Sequence, residues 1–264
     1  VRRDRAVELQ INQQRGGEIS QVLVDGEEIL YCSPDFGQRL SRADFEESRL
    51  RWLAGYSGGW QEILPNPGPA RPWYGARLGF HGGIGERRWW AAHALGRVWL
   101  ATFPSLGMVC ARSVRVIHKH STVRVHTAVA RPSPRRRVPW LQHIVLRAHP
   151  KAQVDLGDAE VGREIHDFLA TAEPGDDRLW IVPSPKAGVT ISRPTTSYTV
   201  RLTWTCHTWP LLWIWAGRDE DRYYLGVEPA SSDESGTVFA KQKGRVLRGT
   251  VQLAVSCDRF APGN

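Results

Sequence analysis

Along most of this chain apolar and polar residues alternate in short runs, and Gly, Pro and Asp interrupt the runs. Residues 109–117 set Val114 and Val116 on one side and Arg115 on the other, and residues 121–130 set Val123 and Val125 against Arg124 and His126. A period of two belongs to a strand with one face in a core and the other turned outward. Further β-rich runs lie at 98–103, 179–182, 189–191, 198–205, 211–215, 223–227 and 251–255. Helical character is confined to two stretches. In residues 41–53, Ser41 is placed to cap a charged segment holding Asp44, Glu46, Glu47 and Arg49; a short helix is also expected at 158–168. Strands do not alternate with helices, which argues against a doubly wound α/β fold. The pattern predicts an all-β chain: one large antiparallel β-sandwich with a few short helices, occupying residues 1–264 as a single domain. The proline-rich stretch 65–72 has aromatic residues on both sides and reads as a loop within that domain, lying over a site.

Composition adjusts this picture only slightly. Hydrophobic residues make up 41% of the chain and charged residues 23%, the balance of a globular protein. A chain of this length buries enough surface to hold together without disulfides or a structural metal. The formal net charge is +8, and the basic residues are almost all Arg, since Lys occurs only at 119, 151, 186, 241 and 243. That charge is scattered. Its one run, Arg135-Arg136-Arg137 with Arg131 before it, lies among Pro132, Pro134 and Pro139 and reads as a solvated turn, so neither nucleic acid nor a membrane is expected as a partner. Cys32, Cys110, Cys206 and Cys257 lie far apart, without zinc spacing, and are expected as buried, reduced thiols. No apolar stretch is long enough to span a bilayer, and no signal-peptide core follows Val1-Arg2-Arg3-Asp4. A soluble, cytoplasmic protein is the expectation, although a start at Val leaves upstream sequence open.

Candidate chemistry gathers in three segments. The first holds Gly59-Trp60-Gln61-Glu62-Ile63-Leu64-Pro65-Asn66 and then His81-Gly82-Gly83. Two glycines after a histidine signal a backbone of close approach and set the ring toward an opening. The second is Pro139-Trp140-Leu141-Gln142-His143-Ile144. The third is Gly226-Val227-Glu228-Pro229, read as an apolar strand that ends at Glu228 and is stopped by proline. A carboxylate in such a place needs a partner, a ligand or water. Trp60, Trp73, Trp89, Trp140 and Trp215 lie in or near these segments. Tryptophans mostly fill cores, but flat aromatic faces also suit sugar rings, and Trp60 and Trp140 are candidates for that role. Arg71, in the loop before His81, is placed to clamp hydroxyls or an anion. His118 and His120 share one strand face at a spacing open to a metal, without a third ligand nearby.

In their order, His81-Gly82-Gly83, His143 and Glu228-Pro229 resemble the motifs of the galactose mutarotase (aldose 1-epimerase) superfamily: an early HGG, a mid-chain histidine at the end of a strand, and a late EP closing a strand. Residues 59–66 look like that family's loop before the first histidine. Arg15-Gly16-Gly17-Glu18-Ile19 and Asp25-Gly26-Glu27-Glu28-Ile29-Leu30 are similar to its first hairpin, so the resemblance covers nearly the whole chain. It implies the galactose mutarotase-like supersandwich and an isomerase that interconverts sugar anomers in an open cleft. Glu228 would be the base, His143 the acid, and His81 a hydrogen-bonding partner of the sugar. Substrate contacts are assigned to Arg71, Trp60, Trp140, Asn66 and His149. The implied substrate is a small carbohydrate, with neither metal nor organic cofactor. The chain departs from the family after His143, where Ile144-Val145-Leu146-Arg147 replaces an aromatic residue and an asparagine; Asp176 and Asp177 are candidates for its substrate-binding aspartate. Two further readings stay open: a biosynthetic isomerase, lyase or cyclase using the same acid–base pair on a non-sugar substrate, and a non-catalytic carbohydrate-binding protein.

Overall fold

A computed structural model describes residues 6–94, 97–102, 106–184, 186–193 and 198–257. In chain order its elements are β1 Val7–Asn12, β2 Glu18–Val24, β3 Glu27–Glu28, α1 Phe36–Arg39, α2 Glu47–Ala54, β4 Trp60–Ile63, β5 Arg71–Trp73, β6 Ala76–Leu78, β7 Trp90–Ala94, β8 Arg97–Thr102 and β9 Val109–Ile117. They continue with β10 Thr122–Ala130, β11 Leu141–Arg147, β12 Gln153–Asp155, α3 Ala159–Thr171, β13 Asp177–Pro183, β14 Gly188–Ser192, β15 Tyr198–Trp204, β16 Leu211–Asp219, β17 Arg222–Ala230 and β18 Val246–Cys257. One sheet runs β1-β2-β4-β11-β17-β16-β13, with β3 beside β2; the other runs β12-β14-β15-β18-β10-β9-β8-β7; β5 and β6 form a separate hairpin. The strand pairs are antiparallel, as the alternating pattern predicts.

Alternation sorts the residues of the first sheet between two cores. On β11, Ile144 and Leu146 join Val123, Val125, Val200 and Leu253 of the second sheet in the main core. Leu141 and Val145, on the other face, join Phe36, Trp52, Tyr56, Trp213 and Tyr224 in a mostly aromatic cluster under α1 and α2. These helices have four and eight residues and are too short to persist alone. Burial of each large apolar side chain, worth about 1.5–3 kcal/mol, is what holds them on the sheet. The tie is reinforced where Arg39 grips Asp219 through Nε at 2.5 Å and Nη2 at 2.6 Å.

The main core also encloses a charged pair. Glu62 accepts from Gln142 Nε2 at 2.5 Å, from Trp140 Nε1 and from Thr127 Oγ1 at 3.2 Å, and lies 3.6 Å from Arg112 Nε. Arg112 donates to the Gly17 carbonyl at 2.9 Å, and both residues are wholly buried.

Several local expectations need correction. Residues 41–53 do not form one helix: α1 ends at Arg39 and α2 begins after Glu46, whose backbone is extended. Ser41 does not cap; its hydroxyl turns back to the Gly37 carbonyl at 2.9 Å. Helix α3 does start behind Asp158, which accepts from the N–H groups of Glu160 and Val161. Strand β17 runs through Pro229 to Ala230 instead of stopping at Glu228. Cys110 is buried, but Cys32 is only partly so and Cys206 is exposed in the turn after β15; the side chain of Cys257 lies outside the described residues, as does Phe103. His118 and His120 sit exposed on a short turn between β9 and β10 rather than on a strand face. Arg135 lies in an exposed turn, and Arg137 donates to the Ala240 carbonyl at 3.0 Å. Among the described residues no helix is long and apolar enough to cross a membrane.

Candidate active site

The register of β11 against β17 is set by the pairs Leu141–Ala230 and Val145–Gly226, which places His143 directly opposite Glu228. Facing residues of antiparallel strands stand close enough for their side chains to meet, and here His143 Nδ1 lies 3.6 Å from Glu228 Oε1. His143 is thus inside its strand, not at the end of it. Between the two framing pairs, residues 142–144 and 227–229 are not paired with each other. Pro229, which has no N–H to give, falls in this gap, and that is why the strand passes through it. Gly226 clears the space: a Cβ there would lie 2.7 Å from Glu228 Oε1 and 3.2 Å from Trp215 Cβ.

His81 arrives from a different part of the chain, in a short helical turn of residues 80–83 after β6. Its φ of 57° is left-handed. Gly82 follows with φ 72°, and a Cβ on it would lie 2.6 Å from the Leu64 carbonyl oxygen, so only glycine lets the turn press against that loop. Asn66 fastens the same loop, its Nδ2 donating to the carbonyls of Gly68, Pro69 and Gly79. The His81 ring stands 3.8 Å from the Phe80 ring centroid, edge-on to Trp52 at 4.5 Å, and 5.8 Å from the His143 ring. It hydrogen-bonds the Pro67 carbonyl, while its Nδ1 is buried without a partner.

Glu228 and His81 both face a cavity of about 260 Å³. The α1–α2 segment roofs it with Phe45, Arg49 and Trp52, and the sheet contributes Trp213 and Trp215. Asp177 and Glu234 add carboxylates to the rim. Asp177 is already engaged, by Arg42 at 2.7 Å and by Trp215 Nε1 at 2.9 Å. His143 does not line this space. It lies beneath, 4% exposed, under Trp52 at 5.9 Å and beside Tyr56, whose hydroxyl is 3.5 Å from Nε2.

Burial decides the charges. Withdrawal from water pushes the Glu228 carboxyl up to about 8, with Glu234 adding to it. The same cause pulls the His143 imidazole down to about 3. His81 falls well below its ordinary value through burial first and then through His143, the Pro67 hydrogen bond opposing and Arg49 assisting. A buried pair with one proton to place is neutral when the acid is raised and the base lowered. At neutral pH the carboxyl holds the proton and both imidazoles are uncharged, the opposite of a resting carboxylate beside a protonated His143.

The structure brings together Glu228, His143 and His81, with Asp177 and Trp215 on the cavity wall. It does not bring the remaining assigned residues there. Trp60 and Trp140 are fully buried on the other face of the sheet, where Trp60 Nε1 donates to Gln142 at 2.8 Å and Trp140 Nε1 to Glu62. Arg71 spends its guanidinium on the Glu234 carbonyl at 2.5 Å and so shapes the rim. Asn66 organises a loop and does not line the cavity. His149 lies past the end of β11, where its Nδ1 accepts from the Lys151 N–H at 3.0 Å. Sequence reading passed over Phe45, Arg49, Trp52 and Tyr56. Trp52, in the last turn of α2, and Tyr56, just past the helix end, stack at 4.2 Å; two aromatic residues close together just before Ser57-Gly58-Gly59 were the available signal.

No protein-family model matches the chain, and no curated protein matches it in sequence. Solved structures do match. The Slr1438 protein from Synechocystis sp. PCC 6803 superposes with a TM-score of 0.70 at 13% identity, covering 98% of this chain and 97% of that one. A galactose mutarotase related enzyme from Lactobacillus acidophilus gives 0.68 at 11% identity, covering 97% and 96%. A galactose mutarotase-like protein from Lactobacillus casei gives 0.63 at 10% identity, covering 95% and 100%. Two antiparallel sheets in this order, matched end to end by such structures, mean that the chain has the galactose mutarotase-like fold.

Proposed function

We propose that this chain is an aldose 1-epimerase-like isomerase, which opens and recloses the ring of an aldose or a sugar-like hemiacetal by paired proton transfers. The observation that supports it most is a carboxyl group kept protonated by burial and a neutral histidine ring on the wall of the same small cavity. In the proposed reaction the Glu228 carboxyl gives its proton to the ring oxygen while His81 Nδ1 takes the proton of the anomeric hydroxyl. The bond between the anomeric carbon and the ring oxygen breaks and an open-chain aldehyde forms. After rotation about the adjacent carbon–carbon bond, the ring oxygen attacks the other carbonyl face. Glu228 then recovers its proton from the ring oxygen, and His81 returns its own to the new anomeric hydroxyl. The cavity lies just under the ~300–1,000 Å³ of typical small-molecule sites, a size that suits one ring and not an oligosaccharide. Trp213, Trp215 and Trp52 offer faces on which a sugar ring stacks.

Those same aromatic walls favour a second reading, a biosynthetic isomerase, lyase or cyclase that uses Glu228 on a non-sugar substrate. One experiment separates the two. Anomer exchange of freshly dissolved α-glucose and α-galactose is followed by polarimetry or NMR with the native chain and with Glu228→Gln. Acceleration by the native chain, lost by a factor of roughly 10²–10⁴ in the variant, supports the epimerase. No acceleration of any common aldose turns the assignment to the second reading.

A further inference from the structure

His143 has two ring nitrogens and each has one polar neighbour. Nδ1 points to Glu228 Oε1 at 3.6 Å, and Nε2 to the Tyr56 hydroxyl at 3.5 Å. Both separations are long for hydrogen bonds. A neutral imidazole carries one N–H, and the nitrogen that holds it is fixed by the neighbour of the other. The Tyr56 side chain settles the choice. It is 1% exposed, stacked on Trp52 at 4.2 Å, and its hydroxyl has no other partner among the described residues. A buried hydroxyl needs an acceptor, and His143 Nε2 is the one within reach.

We propose that Tyr56 is a positioning residue that donates to His143 Nε2, so that His143 carries its proton on Nδ1 and presents it to Glu228 Oε1. The consequence reaches the cavity through Glu228 alone. With Oε1 occupied by the imidazole N–H, the acid proton of Glu228 resides on Oε2, the oxygen left for a substrate. His143 then acts as a second positioning residue, which accords with its place beneath the cavity and not on its wall. Burial keeps the phenol well above its ordinary value, with Glu228 and then Glu18 adding to the rise, so it remains a proton donor throughout.

The arrangement is tested on the whole chain by ¹⁵N NMR of the histidine ring nitrogens and ¹³C NMR of the glutamate carboxyls, in the native protein and in Tyr56→Phe. The groups facing the relay are Glu18, Tyr224 and Arg15 around Tyr56, His81 beside His143, and Glu234 near Glu228. All are retained in the variant, so a difference reports the hydroxyl alone. The native His143 is expected with its proton on Nδ1, and the variant with a mixture of both tautomers. The Glu228 titration midpoint is expected to rise in the variant, because its carboxylate loses a donor. A native His143 protonated on Nε2 overturns the proposal, and needs no variant to be folded. So does a variant whose ring nitrogens and Glu228 midpoint are unchanged. A kinetic arm rests on the epimerase reading: kcat falls roughly five- to tenfold with KM steady, since Tyr56 does not face the cavity. If no aldose is turned over but the tautomer is as described, the epimerase reading fails and the relay stands.

Discussion

A carboxylic acid that keeps its proton near neutral pH suits a reaction that must protonate an ether-like oxygen. Glu228 acquires that property from burial, and the same burial leaves a mark on stability. Its value rises from 4.5 to about 8 on folding, so between those limits the folded chain holds a proton that the unfolded chain has released. Its contribution to stability is therefore full below about pH 4.5 and is lost as pH rises through about 8. His143 behaves in the opposite sense. Its value falls from 6.5 to about 3, and its contribution is full above 6.5 and lost as pH falls toward 3. Glu228→Gln replaces the titrating group with an amide that is neutral at every pH. Thermal melts across pH 4.5 to 8 are expected to show a steeper decline of Tm in the native chain than in this variant. Parallel curves would mean that Glu228 is ionised in the fold at neutral pH.

Strand register does for the pair what no stretch of sequence does. His143 and Glu228 meet because β11 and β17 are neighbours with Leu141 opposite Ala230, a fact of sheet order that alternation cannot reveal. The strands themselves, their period and the likeness of the HGG and EP segments were legible, and the three residues those segments single out, His81, His143 and Glu228, do come together. What alternation did not show was which face each aromatic residue would take: a strand with both faces buried, as in Trp60-Gln61-Glu62-Ile63, gives no polar side to orient it. Trp60 and Trp140 were misplaced for that reason. Gly226 offers a test at this scale. Gly226→Ala introduces a Cβ within 2.7 Å of Glu228 Oε1, and the carboxyl must shift. A displacement on the order of 1 Å is expected to lower turnover by about 100-fold in a chain that keeps its strand content by circular dichroism; unchanged turnover would show that Glu228 has room to spare.

At the scale of the whole molecule, the sandwich separates two kinds of buried charge. Glu62 and Arg112 lie between the sheets and answer each other, whereas Glu228 faces out toward the roofed cavity. Arg112→Met leaves Glu62 without its cation and is expected to cost about 3–5 kcal/mol in urea unfolding. Adding Glu62→Leu to it should recover much of that loss; a double variant no more stable than the single would show that the site's shape, not its charge, sets the cost. The roof has a different kind of independence. Phe45, Arg49 and Trp52 come from one unbroken stretch, and its apolar packing on the body is reinforced by Arg39 with Asp219 and Arg42 with Asp177. The proton-handling groups come from elsewhere, on β11, β17 and the turn at His81. Admission to the chamber and chemistry within it are therefore written in separate passages of the chain. A homologous segment in place of residues 43–51, which follows both fastenings and stops short of the Trp52 that packs on His81, would change the guest while leaving the reactive machinery as it is.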